Sequence, residues 1–103
     1  MAVYVDDMYK YPMGRFGRMK MSHMVADNLD ELLEMADTIG VQRKWLQKPG
    51  MGRGHVHFDI SIAKRDLAIL HGAIELTLRD LSAMCREWNK LNVERAKLGI
   101  ALL

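Results

Sequence analysis

The segment Gly50-Met51-Gly52-Arg53-Gly54-His55-Val56-His57-Phe58-Asp59 holds the residue types and spacings that could do chemistry. Glycine at every second position removes the Cβ that keeps a backbone away from a ligand or out of a sharp turn. Free N–H groups in such a turn form an anion nest, and Arg53 adds a forked donor suited to phosphate oxygens. His55, His57 and Asp59 follow two residues apart, so on an extended segment all three face one side. His-x-His-x-Asp, joined by Asp6 or His23, could hold a divalent ion and activate water. Two chemistries are therefore open, capture of a phosphate-bearing anion and metal-assisted hydrolysis. The plainer alternative is that Asp59 caps the following helix and His57 pins the loop.

Charge is unevenly placed. The net charge is only +2, yet Lys10, Arg15, Arg18 and Lys20 lie in a stretch without an acid from Tyr9 to Val25, and Arg43, Lys44, Lys48 and Arg53 lie in another from Thr38 to Phe58. Acids concentrate between Asp27 and Asp37. If the basic blocks converge they make one positive surface, with Arg53 and Arg65 as phosphate clamps and Trp45, Tyr11 or Phe16 able to stack on a base. The chain has no Walker lysine motif, and its glycine spacing misses the dinucleotide fingerprint. A basic face long enough for duplex DNA is also missing, so none is expected.

These residues need elements to position them. Ala2 to Asp6 is β-branched and aromatic and reads as a short buried strand. A loop follows to Gly17. Arg18 to Val25 alternates, with Met19, Met21, His23 and Val25 on one face and a cationic outer side. Asp27 is placed to cap a helix carrying Leu29, Leu32, Leu33, Ala36 and Ile39, closed by Gly40. Val41 to Gln47 reads as a third strand. Asp59 or Ser61 opens a second helix that ends at Gly72. Ala73 to Thr77 is a fourth strand, and Thr77 caps a last helix running to about Lys97. The order β-β-α-β-α-β-α predicts a small α/β fold with a mostly parallel sheet of about four strands flanked by helices. Ligands would then gather beyond the strand ends, near Asp6, Asp7, Trp45 and Gln47.

At 103 residues the chain fits one domain, residues 1–103, with residues 82–103 forming a C-terminal helix and an apolar tail suited to homo-oligomer contacts. No run approaches a membrane span. The start lacks a signal-peptide pattern and the single Cys85 cannot form an internal disulfide, so a cytoplasmic setting is expected. Nine methionines cluster early at Met8, Met13, Met19, Met21 and Met24, and such a face could form an adaptable protein interface.

Val3-Tyr4-Val5-Asp6-Asp7-Met8, Ser22-His23-Met24-Val25-Ala26-Asp27, Trp45-Leu46-Gln47, His57-Phe58-Asp59-Ile60, Arg65 and Leu70-His71-Gly72-Ala73 together resemble a family of short bacterial and phage domains of unknown function. The resemblance covers roughly Met1 to Arg79. It implies that Asp6, Asp7, His23, Trp45, Gln47, His57, Asp59 and Arg65 form the family's polar signature, and it brings no activity with it.

The expectation drawn from these residues is a non-catalytic module. It captures a phosphate-bearing small molecule, a nucleotide in the first instance, through Asp6, Asp7, His23, Trp45, Gln47, Arg53, His57, Asp59 and Arg65, with no cofactor. A phage setting suggests sequestering a nucleotide second messenger of host defence. The principal alternative is a metal-dependent phosphoesterase or nuclease using Asp6, His55, His57 and Asp59. A protein-interaction module is the third.

Overall fold

The longest strand, β3 (Met19–Ala26), sorts its side chains by parity and so sets up the two faces of the sheet. Met24 and Ala26 join a core cluster with Leu32, Ala36 and Ile39 of helix α1 (Leu29–Ile39) and Ala68 of helix α2 (Ile62–Leu70). Val25, one residue out of step, packs instead with Leu81 and Cys85 of helix α3 (Leu78–Lys97). A strand turns successive side chains to opposite faces. Helices α1 and α2 therefore cover one face and α3 the other, which makes a three-layer α/β domain. The computed structural model describes residues 2–48 and 55–99.

Around β3 stand β1 (Val3–Val5), β2 (Arg15–Phe16), β4 (Phe58–Ser61) and β5 (Ile74–Glu75). The path runs β2-β3-β1-β5, and β4 pairs with β3. Strand β1 is parallel to β5, but β1–β3, β2–β3 and β3–β4 are all antiparallel. This corrects the expected mostly parallel sheet of about four strands to a mixed sheet of five. Two causes account for the difference. Val41 to Gln47 does not form a strand; Arg43–Trp45 makes a 3₁₀ turn, and Gln47 forms a single bridge to His57. The chain leaving α1 therefore re-enters the sheet later, through β4, and runs antiparallel to β3. The β4–α2–β5 unit then straddles β3 and β1 rather than adding a neighbouring parallel strand.

Capping follows local chemistry with two shifts. Asn28, not Asp27, caps α1, its side-chain oxygen accepting from Glu31 N at 2.9 Å. Asp27 instead accepts from Ala2 N at 2.7 Å and ties down the chain start. Ser61 caps α2 by accepting from Lys64 N at 3.3 Å, while Asp59 stays within β4. Gly40 closes α1 in the left-handed region at φ 79°, a conformation that disfavours any side chain. Thr77 accepts from Asp80 N at 3.1 Å, and α3 runs to Lys97 as expected.

The link from β1 to β2 is two consecutive 3₁₀ turns, Met8–Lys10 and Pro12–Gly14. Gly14 is buried between them; a Cβ there would collide with the Met8 carbonyl and stand 2.9 Å from the Met21 carbonyl oxygen. Both are backbone atoms and cannot rotate away. Gly14→Ala is therefore expected to cost about 1–3 kcal/mol in urea denaturation, through displacement of the Met8–Lys10 turn. Of the early methionines, Met8 and Met24 are buried, whereas Met13 and Met19 are exposed. The apolar tail from Ile100 lies outside the described residues. No helix among the described residues is long and apolar enough to cross a membrane.

Candidate functional site

Antiparallel pairing puts His23 directly opposite Asp59. Two residues earlier, at the Gln47 bridge just before β4, His57 projects to the same face. The three side chains offer ligand atoms that all lie within 4.8 Å of one another. His57 Nε2 is 3.4 Å and His23 Nε2 3.8 Å from the same oxygen, Asp59 Oδ1. The two imidazoles meet edge to face, with ring centroids 5.1 Å apart.

The far side of each ring is fixed. His23 Nδ1 lies 2.7 Å from Asp6 Oδ2, and His57 Nδ1 lies 2.7 Å from the His55 carbonyl. A carboxylate and a backbone carbonyl only accept, so both Nδ1 atoms carry hydrogen and donate. Both rings therefore present Nε2 toward Asp59. Asp6 is fully buried, and its charge is compensated by three donors: His23 Nδ1, His23 N at 2.9 Å and Met8 N at 3.1 Å. Its backbone carbonyl in turn accepts from Arg65 Nε at 2.7 Å.

Electrostatics separate His55 from His57. Burial pulls the His57 imidazole down, but the hydrogen bonds to Asp59 and the His55 carbonyl and the charges of Asp59 and Asp6 outweigh it, leaving its pKa raised. The hydrogen bond from His57 holds the Asp59 carboxyl below its usual range, against burial and with the help of both imidazole charges. Burial is the main reason that His55 is lowered, with Asn89 acting the other way and His57 reinforcing burial. The pairing with Asp59 thus favours the protonated form of His57, while burial disfavours it in His55.

Helix α3 roofs this face. Asp7, expected to touch ligand, instead accepts from Leu78 N at 2.7 Å and fastens the start of α3, where a carboxylate is favoured by orphan N–H groups and the helix dipole. The helix then sets Ser82, Arg86 and Asn89 over an open pocket of about 270 Å³ whose floor includes His23, His55 and His57. His55 Nδ1 is 3.3 Å from Asn89 Oδ1, and its ring packs on Trp88 at 5.0 Å. Cys85 also lines the pocket. Burial first, then the Asp6 charge, pushes its thiol up to about 11, so at pH 8 roughly a thousandth is thiolate. Alkylation of Cys85 by iodoacetamide is expected to run at least tenfold slower in the native protein than in urea.

A family model described as "Protein of unknown function (DUF4031)" matches residues 3–88. The chain belongs to this family. Comparisons with curated proteins and with solved structures gave no match. The match spans Asp6, Arg65 and the whole His23–His57–Asp59 cluster, and it runs past Ser82 into α3, further than the expected limit near Arg79.

Within this DUF4031 domain the other expected site residues are dispersed. Arg65 does not project as a phosphate clamp. It is buried, with its guanidinium bonded to the Asp6 carbonyl and to Glu75 at 3.0 Å and stacked over Tyr9 at 5.0 Å. Trp45 is 60% exposed and lies under Lys44 at 5.2 Å. Gln47 acts through its backbone, exchanging two hydrogen bonds with His57 at 2.8 and 3.2 Å. The expected role of Arg53 lies outside the described residues. Ser82, Arg86 and Asn89 were not anticipated, although their i, i+4, i+7 spacing makes one polar stripe on a helix.

Proposed function

We propose that this DUF4031 domain holds one divalent transition-metal ion between His23 Nε2, His57 Nε2 and Asp59, and uses it to hydrolyse a phosphate ester. The observation that supports this most is the pair of anchored imidazoles. Each ring is held through Nδ1 by an oxygen acceptor, so that both Nε2 atoms converge on one carboxylate, and an ion binding there would take the place of the Nε2 proton that His57 gives to Asp59. Carboxylate–histidine and carbonyl–histidine pairs of this kind orient metal-ligating imidazoles and raise their basicity. Ligand atoms about 2.0–2.2 Å from a tetrahedral ion stand about 3.4 Å apart, close to the 3.4 and 3.8 Å that separate the two Nε2 atoms from Asp59 Oδ1. Two histidines and one carboxylate leave positions open for water and substrate.

Bound metal would supply a hydroxide near neutral pH and polarise a phosphoryl oxygen. Arg86, which lines the same pocket as the two imidazoles, would pair with the phosphate charge, with Ser82 and Asn89 as polar neighbours. In the reaction the water oxygen bonds to phosphorus, the ester P–O bond breaks, and the departing oxygen takes a proton. This reading gains over intact capture because Arg65, one of the two expected clamps, is enclosed elsewhere.

Purified protein loaded with Mn²⁺ or Zn²⁺ is expected to release nitrophenol from bis-(p-nitrophenyl) phosphate. EDTA and His57→Ala should each abolish that release. A protein that takes up no metal at stoichiometric level, or turnover that survives His57→Ala, would overturn the proposal.

A further inference from the structure

A second pocket of about 450 Å³ opens along the β1–β2 link and is lined by Tyr9, Lys10, Tyr11, Pro12, Arg15 and Lys20. We infer that it is a binding site for a nucleoside phosphate, separate from the metal cluster. Its cations come from three elements: Lys10 from the first 3₁₀ turn, Arg15 from β2 and Lys20 from β3. Arg15 and Lys20 are direct cross-strand partners, and like charges in that position repel. Among the described residues no carboxylate forms an ion pair with either. Lys10 reaches Asp7 at 3.9 Å and lies over the Tyr9 ring at 5.9 Å. A phosphate group removes that repulsion, and an Arg and two Lys are the donors that recognise one.

Two tyrosines line the same pocket. Tyr9 is held in place, its N–H donating to Ser22 Oγ at 3.3 Å and its ring covered by the Arg65 guanidinium. Tyr11 is 45% exposed and is free to stack on a base, which presents a π-face whatever its identity. Gly14 packs too closely on the Met8 carbonyl to admit a Cβ, which holds the two turns that carry Lys10, Tyr11 and Pro12 against each other. Its volume falls in the range of small-molecule sites, about 300–1,000 Å³. Lys20 and His23 point to opposite faces of β3, which keeps this site apart from the metal cluster and makes it independent of the hydrolytic proposal.

Calorimetric titration with ADP in EDTA excludes any contribution from metal. The expected result is one saturable site. Arg15→Glu/Lys20→Glu should weaken ADP at least tenfold, with the melting temperature as a check on folding. Tyr11→Ala should weaken ADP about tenfold and leave inorganic pyrophosphate within twofold. His57→Ala should leave ADP binding unchanged. Absence of saturation up to about 1 mM ADP, ADP affinity unaffected by the double charge reversal, or pyrophosphate binding as tightly as ADP would each overturn the inference. Tighter binding of oligothymidylate than of ADP would overturn it in favour of a single-stranded nucleic-acid surface.

Discussion

Replacing Asp6 by Asn is expected to leave the domain folded and to lower its affinity for Mn²⁺ or Zn²⁺ by about 10- to 100-fold. The amide matches the carboxylate in shape, and its oxygen can still accept from His23 N and Met8 N, as Asp6 Oδ1 does. Its NH₂ then faces His23 Nδ1, where Asp6 Oδ2 now accepts. Two donors cannot share that contact, so His23 must move its proton to Nε2. A protonated Nε2 is no ligand. The effect therefore acts through a tautomer, with no contact to metal, and is read by comparing metal titrations of the two proteins at equal melting temperature. Loss of folding without loss of affinity per folded molecule would argue against the role given to Asp6.

The second large effect concerns stability. Arg65→Ala is expected to cost about 3 kcal/mol in urea denaturation, from an unsatisfied buried carbonyl together with a lost cation–π contact. The guanidinium is enclosed, and three contacts converge on it: the Asp6 carbonyl, Glu75 and the Tyr9 ring. Glu75 is 59% exposed and finds water when the arginine is removed, so it adds little to the penalty. The Asp6 carbonyl, on a fully buried residue, has no such remedy. Arg65→Lys should restore only part of the loss, because an ammonium cannot bond sideways to the carbonyl while stacking flat on the ring. A phosphate clamp at the surface would behave in the opposite way, with stability preserved and ligand binding reduced.

Much of what positions the site was legible in the sequence. The alternation around His23 put it on the face of Met21 and Val25, and the spacing of His57 and Asp59 put those two together. The caps at Ser61 and Thr77 and the glycine stop at Gly40 were readable because they rest on local hydrogen bonding and backbone sterics. The errors lie where distant pairing decides. The segment Val41 to Gln47, with Gln42, Arg43 and Lys44 between its apolar residues, carries no period that separates a strand from a 3₁₀ turn. Whether β4 meets β3 parallel or antiparallel depends on which edge the returning chain reaches. Arg65 looked like a free cation because its partner Asp6 is 59 residues away. The α3 stripe escapes the sequence for a different reason: Ser82, Arg86 and Asn89 gain their place only because α3 packs over the strand face that carries the histidines.

The central claim is that His23 and His57 bind a single ion through Nε2. The chain has four histidines, so imidazole ¹⁵N spectra resolve the question residue by residue. One equivalent of Zn²⁺ is expected to shift the Nε2 resonances of His23 and His57 and to leave both nitrogens of His55 and His71 in place. Unmoved His23 and His57 signals, or coordination through Nδ1, would contradict it.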